Sequence, residues 1–368
     1  MTTRPKPILS ILIPSFNRSE SLIELVDSIS RYSEGVEEFI EVVIGDNSDE
    51  SNFYFENELF KEAHGKIQVK YKHWGQNLGY DKNLTALLQE ANGSYGWFLG
   101  DRLSVVNPLF NLVKVLQRND LQFMAFINLL TLKGQRSAEG DLLDSLEVVT
   151  QPDDSVLIRD SISFGNGDVE VLDASISAKI FPVAPELARD TSLLSKYVGT
   201  QFMHVPIFYE SAKSSRASDV AIALIPYVEN RTKLQMVRFD PVLTALGWHL
   251  VSQDYQLGSV DFRANSLNYF LHNGLKNYRL GLSGIGIKTY RDFLKAMQQL
   301  QVPMTTIAHA QALVYGVTPV WILRLLYVAL RILKGDIAPN VKSVLSTLRD
   351  MHRFDLDSND FRLDSKRV

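Results

Sequence analysis

An acidic and a basic residue stand side by side at the end of a short apolar segment, where together they could hold a charged ligand. The segment runs from Tyr95 to Leu99, and Gly100, Asp101 and Arg102 follow it directly. An aspartate at the end of a buried strand commonly holds a divalent cation against a phosphate group. Here a cation occupies the neighbouring position, and three interpretations stay open. Asp101 binds Mg²⁺ or Mn²⁺ without a second acid, Arg102 takes over part of the role of the metal, or the two residues form a local ion pair at a site without activity.

Polar residues follow three further apolar segments in the same way. These loops are Pro14-Ser15-Phe16-Asn17-Arg18, Asp46-Asn47-Ser48-Asp49 and the stretch from Trp74 to Asn83. In a single loop of this kind, Asp, Asn and Gly usually serve only to form the turn. Four such loops, which also contain the cations Arg18, Lys82 and Arg102, favour a site for a phosphate-containing ligand.

The elements that position these loops are predicted to alternate between strands and helices. Apolar or alternating segments predict strands over residues 9–13, 42–44, 67–71, 97–99, 123–127 and 175–181. Apolar residues at helical spacing predict helices over residues 22–29, 84–91, 109–116 and 193–212, and Ser21-Leu22-Ile23-Glu24 has the spacing of a capping box. The alternation predicts a doubly wound, mostly parallel α/β sheet over residues 7 to about 130, whose strand ends face one crevice.

Composition excludes several classes of function. The 368 residues are 45% hydrophobic and 22% charged, which is ordinary for a folded protein. A net charge of −4 gives no general attraction to nucleic acid, and the lack of cysteine excludes disulfides and thiolate metal sites. No segment reaches transmembrane length, and the first apolar run ends at Pro14, too early for a signal peptide. We therefore expect a soluble protein that faces the cytosol.

Four segments, taken in order, resemble family 2 glycosyltransferases with the GT-A fold. They are Ser10 to Arg18, Glu41 to Ser48, Asn77 to Asn83 and Tyr95 to Arg102, and together they span about residues 8 to 115. Within that family, the segments 77–81 and 199–204 are similar to abequosyltransferase-like enzymes of surface-polysaccharide synthesis.

The resemblance implies a domain organisation for the whole chain. We expect a GT-A, Rossmann-like, mostly parallel sheet flanked by helices, with a helical extension at the C-terminus. The glycosyltransferase domain is expected over residues 1–265, with a donor half over about 7–130 and an acceptor half over about 131–265. The helical region is expected over residues 266–368.

The resemblance also implies an activity and its residues. A sugar would pass from a nucleotide-diphosphate donor to a saccharide or lipid-linked saccharide acceptor, with inversion, in polysaccharide synthesis of the O-antigen type. Asp46 is expected to accept a hydrogen bond from the base, and Asp101 and Arg102 to hold the diphosphate with or without a metal bound to Asp101. The expected donor-binding residues are Pro14, Phe16, Asn17, Arg18, Asp46, Asn47, Asn77, Gly79 and Lys82.

The sequence leaves the general base of an inverting transfer open. Relatives often carry a Glu-Asp pair where this chain has Thr200 and Gln201, and neither of these residues is a base. His204 follows one turn later and is basic at neutral pH, so it is the catalytic candidate. A packed, hydrogen-bonded histidine fits the sequence equally well, and Asp168 and Asp219 stay open as alternatives.

An apolar segment near the C-terminus has two interpretations. Residues 319–334 are apolar apart from Arg324, Arg331 and Lys334, which lie on one stripe of a helix. The segment is predicted to be a core or homodimer-interface helix, or a helix that lies in the membrane plane. The expected location is accordingly the cytoplasm, either free or peripheral on the inner face of the plasma membrane.

Two other functions account for part of the sequence. A non-catalytic nucleotide-sugar-binding or assembly subunit would keep the crevice and lack the second acid and the base. A nucleotidyltransferase-like enzyme shares the strand order, but its basic, glycine-rich phosphate loop after the first strand is missing from this chain.

Overall fold

The computed structural model describes only part of the chain. The described residues are 5–51, 67–118, 121–126, 156–160, 176–177, 179–215, 217, 219–223, 227–230, 241–255, 322 and 329. The chain divides into two compact units, one made of residues 1–233 and 255–258 and the other of residues 234–254 and 259–368. The sheet and the candidate site belong to the first unit.

Eight strands of the first unit form one mixed sheet in the order β3-β2-β1-β4-β8-β6-β9-β7. The described strands, of which β5 and β10 lie outside this sheet, are β1 (Leu9–Ser15), β2 (Ile40–Asp46), β3 (Gln68–His73), β4 (Tyr95–Phe98), β5 (Leu103–Val105), β6 (Leu121–Phe126), β7 (Val156–Asp160), β8 (Lys179–Pro182), β9 (Asp219–Ala223) and β10 (Val228–Asn230). β1 runs parallel to β2 and β4, and β2 runs parallel to β3. β8 is antiparallel to both of its neighbours, and β5 pairs separately with β10.

Helices flank this sheet in the predicted alternation. They are α1 (Ser19–Tyr32), α2 (Tyr80–Glu90), α3 (Phe110–Leu116), α4 (Pro185–Arg189) and α5 (His204–Ser214), and the second unit contains α6 (Pro241–Asp254). The apolar stripe of α1 is buried in the same core as β1, since Leu22, Leu25 and Ile29 join Ile11 and Ile13 there. Burial of each such side chain stabilises the fold by about 1.5–3 kcal/mol. The predicted α/β sheet, mostly parallel and flanked by helices, is confirmed.

Two local predictions are wrong. The capping box at Ser21 is not formed, because α1 already begins at Ser19 and the amide of Leu22 bonds to the carbonyl of Arg18 at 3.0 Å. The single helix predicted over 193–212 is two elements, a 3-10 segment (Ser192–Tyr197) and α5. Gly199 and Gln201 interrupt it with φ values of +93° and +66°, which no α-helix accommodates.

The predicted boundary at residue 265 and most of the segment 319–334 lie outside the described residues, so both stay predictions. Only Ile322 and Ala329 of that segment are described, and both are helical. Within the described part of the chain, no helix is both long and apolar enough to cross a membrane.

Candidate active site

Strand β4 delivers Asp101 to the carboxyl edge of the sheet. All four residues of β4 are buried, and the ladder with β1 continues past its end because the amide of Leu99 donates to the carbonyl of Leu12 at 3.0 Å. The amide of Gly100 then donates to the hydroxyl of Ser177 at 3.3 Å. Asp101 follows in a turn and is only 3% exposed. The backbone that leads to Asp101 is therefore fixed by the neighbouring strand β1 and by Ser177.

The loops after β1, β2 and β4 contact one another directly. The hydroxyl of Ser15, the last residue of β1, donates to Oδ2 of Asp101 at 3.3 Å. In the next turn the backbone amide of Asn17, which has a φ of +52°, donates to the hydroxyl of Ser48 at 2.8 Å. The structure thus brings together the three strand ends that the sequence placed at one crevice.

Arg18 is the side chain that binds Asp101. Its Nη1 lies 2.7 Å from Oδ1 of Asp101, and 40% of the Arg18 side chain is exposed while the carboxylate is buried. The sequence left open a local ion pair between Asp101 and Arg102, which stays a prediction. The hydrogen-bonded pair of Asp101 with Arg18 joins the loop after β1 to the loop after β4.

Two arginines lie close to the buried carboxylate of Asp101. Burial raises the pKa of Asp101, while Arg18, the Ser15 hydroxyl and Arg102 lower it. Burial and the nearby Arg18 guanidinium lower the pKa of Arg102, and Asp101 raises it. Guanidinium groups are well suited to bind the oxygen atoms of a phosphate.

The surroundings of Asp101 are unfavourable for a divalent cation. Among the described residues, no three His, Cys, Asp or Glu side chains lie close enough to hold a metal ion. Both oxygens of Asp101 already accept hydrogen bonds, one from Arg18 and one from Ser15. A cation bound there would face a guanidinium group at short range, and one carboxylate would have to hold it against that repulsion. Metal binding by Asp101 stays a prediction.

Asp46 ends β2 and is held from two sides. The hydroxyl of Tyr71 donates to Oδ2 at 2.6 Å, and the backbone amide of Ser48 donates to Oδ1 at 2.9 Å. The carboxylate is buried and has one orientation. On the neighbouring strand, Ser15 pairs with Asp46; Pro14 before it is half-buried and Phe16 after it is 38% exposed. An exposed aromatic ring beside a fixed acceptor suits the face and edge of a nucleotide base, although base binding by these residues stays a prediction.

Asn47 ties the loop after β2 to the beginning of α2. Its Nδ2 donates to the carbonyl of Gly79 at 3.3 Å, and its Oδ1 accepts from the amide of Leu78 at 3.2 Å. Asn77 is exposed and accepts from the amide of Gly79 at 2.8 Å, and Lys82 is exposed on the first turn of α2. Gly79 has a φ of +77°, where glycine is strongly favoured. The buried amide of Asn47 is thus used within the protein, while Asn77 and Lys82 are accessible.

Asn83 is a structural residue of this edge that we did not predict as part of the site. Its Nδ2 donates to the carbonyl of Gly45 at 2.9 Å, and its Oδ1 accepts from the indole of Trp74 at 2.9 Å. A Cβ atom on Gly45 would collide with Oδ1 of Asn83. In the sequence, Gly45 therefore indicates that another group lies close to the backbone here, although it does not identify Asn83 as that group.

Asp81 is a second residue that sequence analysis did not select. It lies on the first turn of α2, is 5% exposed, and accepts hydrogen bonds from the amides of Gly199, Gln201 and Met203 at 2.7, 2.9 and 3.3 Å. Burial raises the pKa of Asp81 to about 6, although these backbone amides lower it. Acidic residues are common in the first turn of helices, so an aspartate at this position does not indicate a contact with a distant part of the chain.

The candidate bases occupy different environments. His204 is the first residue of α5, is 7% exposed, and has its ring centre 6.0 Å from that of Phe202. This burial suits a packed histidine, and its role as general base stays a prediction. Asp219 begins β9, which lies parallel to β6, and so stands at the amino edge of the sheet, away from Asp101. Asp168 lies outside the described residues.

Comparison with known proteins places the matching region in the first part of the chain. Residues 10–121 match the model of the family described as Glycosyl transferase family 2. The abequosyltransferase RfbV of Salmonella typhimurium is 32% identical over 93 residues, which are 25% of this chain and 27% of that protein. An uncharacterized protein of Haemophilus influenzae is 27% identical over 115 residues, 31% of this chain and 60% of that protein. The chain thus matches less than two thirds of the length of either relative.

Two solved structures of TarS from S. aureus have a similar fold. The structure of residues 1–349 in complex with UDP-GlcNAc superposes with a TM-score of 0.52 at 11% identity, covering 90% of this chain and 93% of that one. A second TarS structure has a TM-score of 0.51 at 12% identity, with 83% and 50% covered. At such low identity the likeness concerns the fold alone, and it agrees with the GT-A type of sheet described above.

Proposed function

We propose that this protein is a glycosyltransferase of cell-surface glycan synthesis, because residues 10–121 match the model of the family described as Glycosyl transferase family 2. It transfers a sugar, with inversion, from a nucleotide-diphosphate donor to a saccharide or lipid-linked saccharide acceptor. The observation that carries the proposal is the cluster of Arg18, Asp101 and Arg102 at the carboxyl edge of the sheet, joined by Ser15 to the strand that precedes it.

Recognition of the donor begins at the base. Asp46 is fixed by Tyr71 and Ser48, so it can accept a hydrogen bond from a pyrimidine or purine N–H without first losing side-chain entropy. Pro14 and the exposed ring of Phe16 pack against the base or ribose. Asn77 and Gly79 lie at the beginning of α2, where the ribose and diphosphate approach the backbone.

The diphosphate is held by side-chain cations in this proposal. Asp101 fixes the Arg18 guanidinium at 2.7 Å and leaves its other N–H groups for phosphate oxygens. Arg102 and the exposed Lys82 add further positive charge. These groups neutralise the negative charge that builds up on the leaving diphosphate, and no divalent cation is required for that step.

The transfer follows from this arrangement. The acceptor hydroxyl oxygen bonds to the anomeric carbon, and the bond from that carbon to the diphosphate oxygen breaks. The electron pair leaves with the diphosphate, and the hydroxyl proton passes to a general base, for which His204 is the candidate. Attack from the face opposite the diphosphate inverts the anomeric configuration.

A non-catalytic nucleotide-sugar-binding subunit is the second candidate function. It is favoured by one observation, that Asp81, which accepts from the amide of Gln201, is already bound by backbone amides and is therefore a poor candidate for the base. The two candidates share the donor site and differ in turnover.

One experiment separates them. Purified protein is screened by thermal shift with UDP, GDP, CDP and dTDP, and then incubated with the sugar nucleotides of the base that binds. The proposal predicts stabilisation by at least one nucleotide and slow hydrolysis of a matching sugar nucleotide, both lost in Arg18→Ala. Arg31→Ala, at the opposite end of α1, is the control and keeps both. Stabilisation without hydrolysis favours the binding subunit, and no stabilisation by any nucleotide contradicts the donor site.

A further inference from the structure

One carboxylate holds the whole loop between the 3-10 segment and α5. Asp81 accepts hydrogen bonds from alternate backbone amides of this loop, those of Gly199, Gln201 and Met203. Asp81 is buried, so these bonds are shielded from water. The loop Gly199–Met203 is therefore attached to α2 through the side chain of Asp81.

The backbone of the loop is shaped for this contact. Gly199 and Gln201 both have left-handed φ values, +93° and +66°. Alternation of left-handed residues turns successive amides toward one point and forms a concave anion site. For Gln201, which has a side chain, this conformation costs about 1 kcal/mol or more and persists only where the surroundings enforce it. Asp81, which accepts from the amide of Gln201 itself, supports this conformation here.

The segment that carries Asp81 is also bound to the donor side. Two residues before Asp81, the carbonyl of Gly79 accepts a hydrogen bond from Asn47, and Asn47 directly follows Asp46. Two residues after it, Asn83 donates to the carbonyl of Gly45. A continuous set of hydrogen bonds thus runs from the loop at the end of β2, through the first turn of α2, to Gln201.

We propose that Asp81 is a positioning residue that couples the nucleotide-binding loop after β2 to the loop Gly199–Met203, and that this second loop forms the wall of the site beside the transferred sugar. The inference rests on the proposed function. In this proposal, the carboxylate of Asp81 fixes the orientation of Gln201 and of the beginning of α5. Nucleotide binding at the loop after β2 thereby affects the loop on the acceptor side.

A second buried carboxylate provides a matched control. Glu41 lies at the amino end of β2, is fully buried, and accepts from the amides of Asn92 and Gly93 at 2.5 and 3.2 Å and from Lys70 at 2.7 Å. It fixes a loop by the same chemistry at the opposite edge of the sheet. Glu41→Gln therefore shows how the protein responds when a buried carboxylate that binds loop amides is weakened away from the site.

The test is hydrogen exchange of the full-length protein, followed by mass spectrometry of the peptide that spans residues 197–205. In ligand-free Asp81→Asn, amides of this peptide are expected to exchange about tenfold faster than in the wild type, whereas Glu41→Gln leaves them unchanged. The nucleoside diphosphate found in the thermal-shift screen should protect the peptide further in the wild type and not in Asp81→Asn. The affinity of that nucleotide should stay within about threefold.

A second variant keeps the test decisive if Asp81→Asn folds poorly. A Cβ on Gly199 meets no atom within 4 Å, so Gly199→Ala acts only through its left-handed φ. It is expected to loosen the same peptide, and in both variants kcat for sugar-nucleotide hydrolysis should fall about tenfold with KM little changed. Unchanged exchange in ligand-free Asp81→Asn and Gly199→Ala would overturn the anchoring. Nucleotide protection that survives in both variants would overturn the coupling. If no nucleotide binds the wild type, the proposed function fails and the coupling with it, while exchange of the ligand-free protein still decides the anchoring.

Discussion

Nη1 of Arg18 lies 2.7 Å from Oδ1 of Asp101, and this contact joins two loops although the two residues are 83 positions apart in the chain. The one acid at this strand end thus supports a guanidinium group, while its role as a metal ligand, which the family resemblance implies, stays a prediction. Arg102 is the next residue in the chain, so two cations and one anion lie close together here. In the proposed donor site, these cations supply positive charge for a diphosphate from the protein itself.

The Arg18–Asp101 interaction should be measurable as a coupling free energy. Because Asp101 is buried and Arg18 is partly exposed, a double-mutant cycle of Arg18→Ala and Asp101→Asn is expected to give about 1–2 kcal/mol by urea unfolding. Arg18→Ala alone should destabilise the fold more than Arg31→Ala does. A coupling free energy near zero would contradict a stabilising interaction between Arg18 and Asp101.

The hydroxyl of Tyr71 should contribute to nucleotide affinity through Asp46. Tyr71→Phe removes the 2.6 Å hydrogen bond and lets the carboxylate reorient, so the dissociation constant of the bound nucleotide should rise about tenfold, or about 1.4 kcal/mol. Tyr95→Phe is the matched control, since the hydroxyl of Tyr95 bonds to the backbone of Leu121 at 3.3 Å in the interior. It should lower stability and leave affinity unchanged. Equal affinity of wild type and Tyr71→Phe in calorimetry would contradict the role of Asp46.

Asp81 should make stability depend on pH in a defined window. Burial raises the pKa of Asp81 from the ordinary 3.8 to about 6, so the folded state binds the proton more tightly than the unfolded state. The raised pKa of Asp81 contributes on the order of 3 kcal/mol to the free energy of unfolding. This contribution is fully present below pH 3.8 and is lost as the pH rises through about 6.

The difference between wild type and Asp81→Asn isolates this effect from other titrations. Unfolding free energies are measured for both proteins at about pH 4.5 and about pH 7.5, on either side of the raised pKa. The wild type should lose stability relative to Asp81→Asn over this interval, because the amide side chain of the variant carries no charge at either pH. A difference that is constant with pH, or that changes in the opposite direction, would contradict the raised pKa.

Sequence patterns could predict the positions of the strand ends but not the pairs formed between them. Asp46 and Asp101 were placed correctly at one edge because hydrophobic runs and polar loops alternate in a parallel sheet. Neither the partnership of Arg18 with Asp101 nor that of Asp81 with Gln201 could be predicted, since each depends on packing between distant segments. The break in the predicted helix at Gly199 has the same cause, because a distant carboxylate stabilises a backbone conformation that helical periodicity does not reveal.

The central claim is that arginine side chains rather than a metal ion hold the diphosphate, and nucleotide binding in the presence of EDTA tests it most directly. The nucleoside diphosphate found by thermal shift is titrated into wild type, Arg18→Ala and Arg31→Ala by calorimetry, with EDTA and then with Mn²⁺. We predict that wild type and Arg31→Ala bind equally well in EDTA, and that Arg18→Ala binds at least tenfold more weakly in both conditions. Binding that requires Mn²⁺ and is insensitive to Arg18→Ala would contradict the claim.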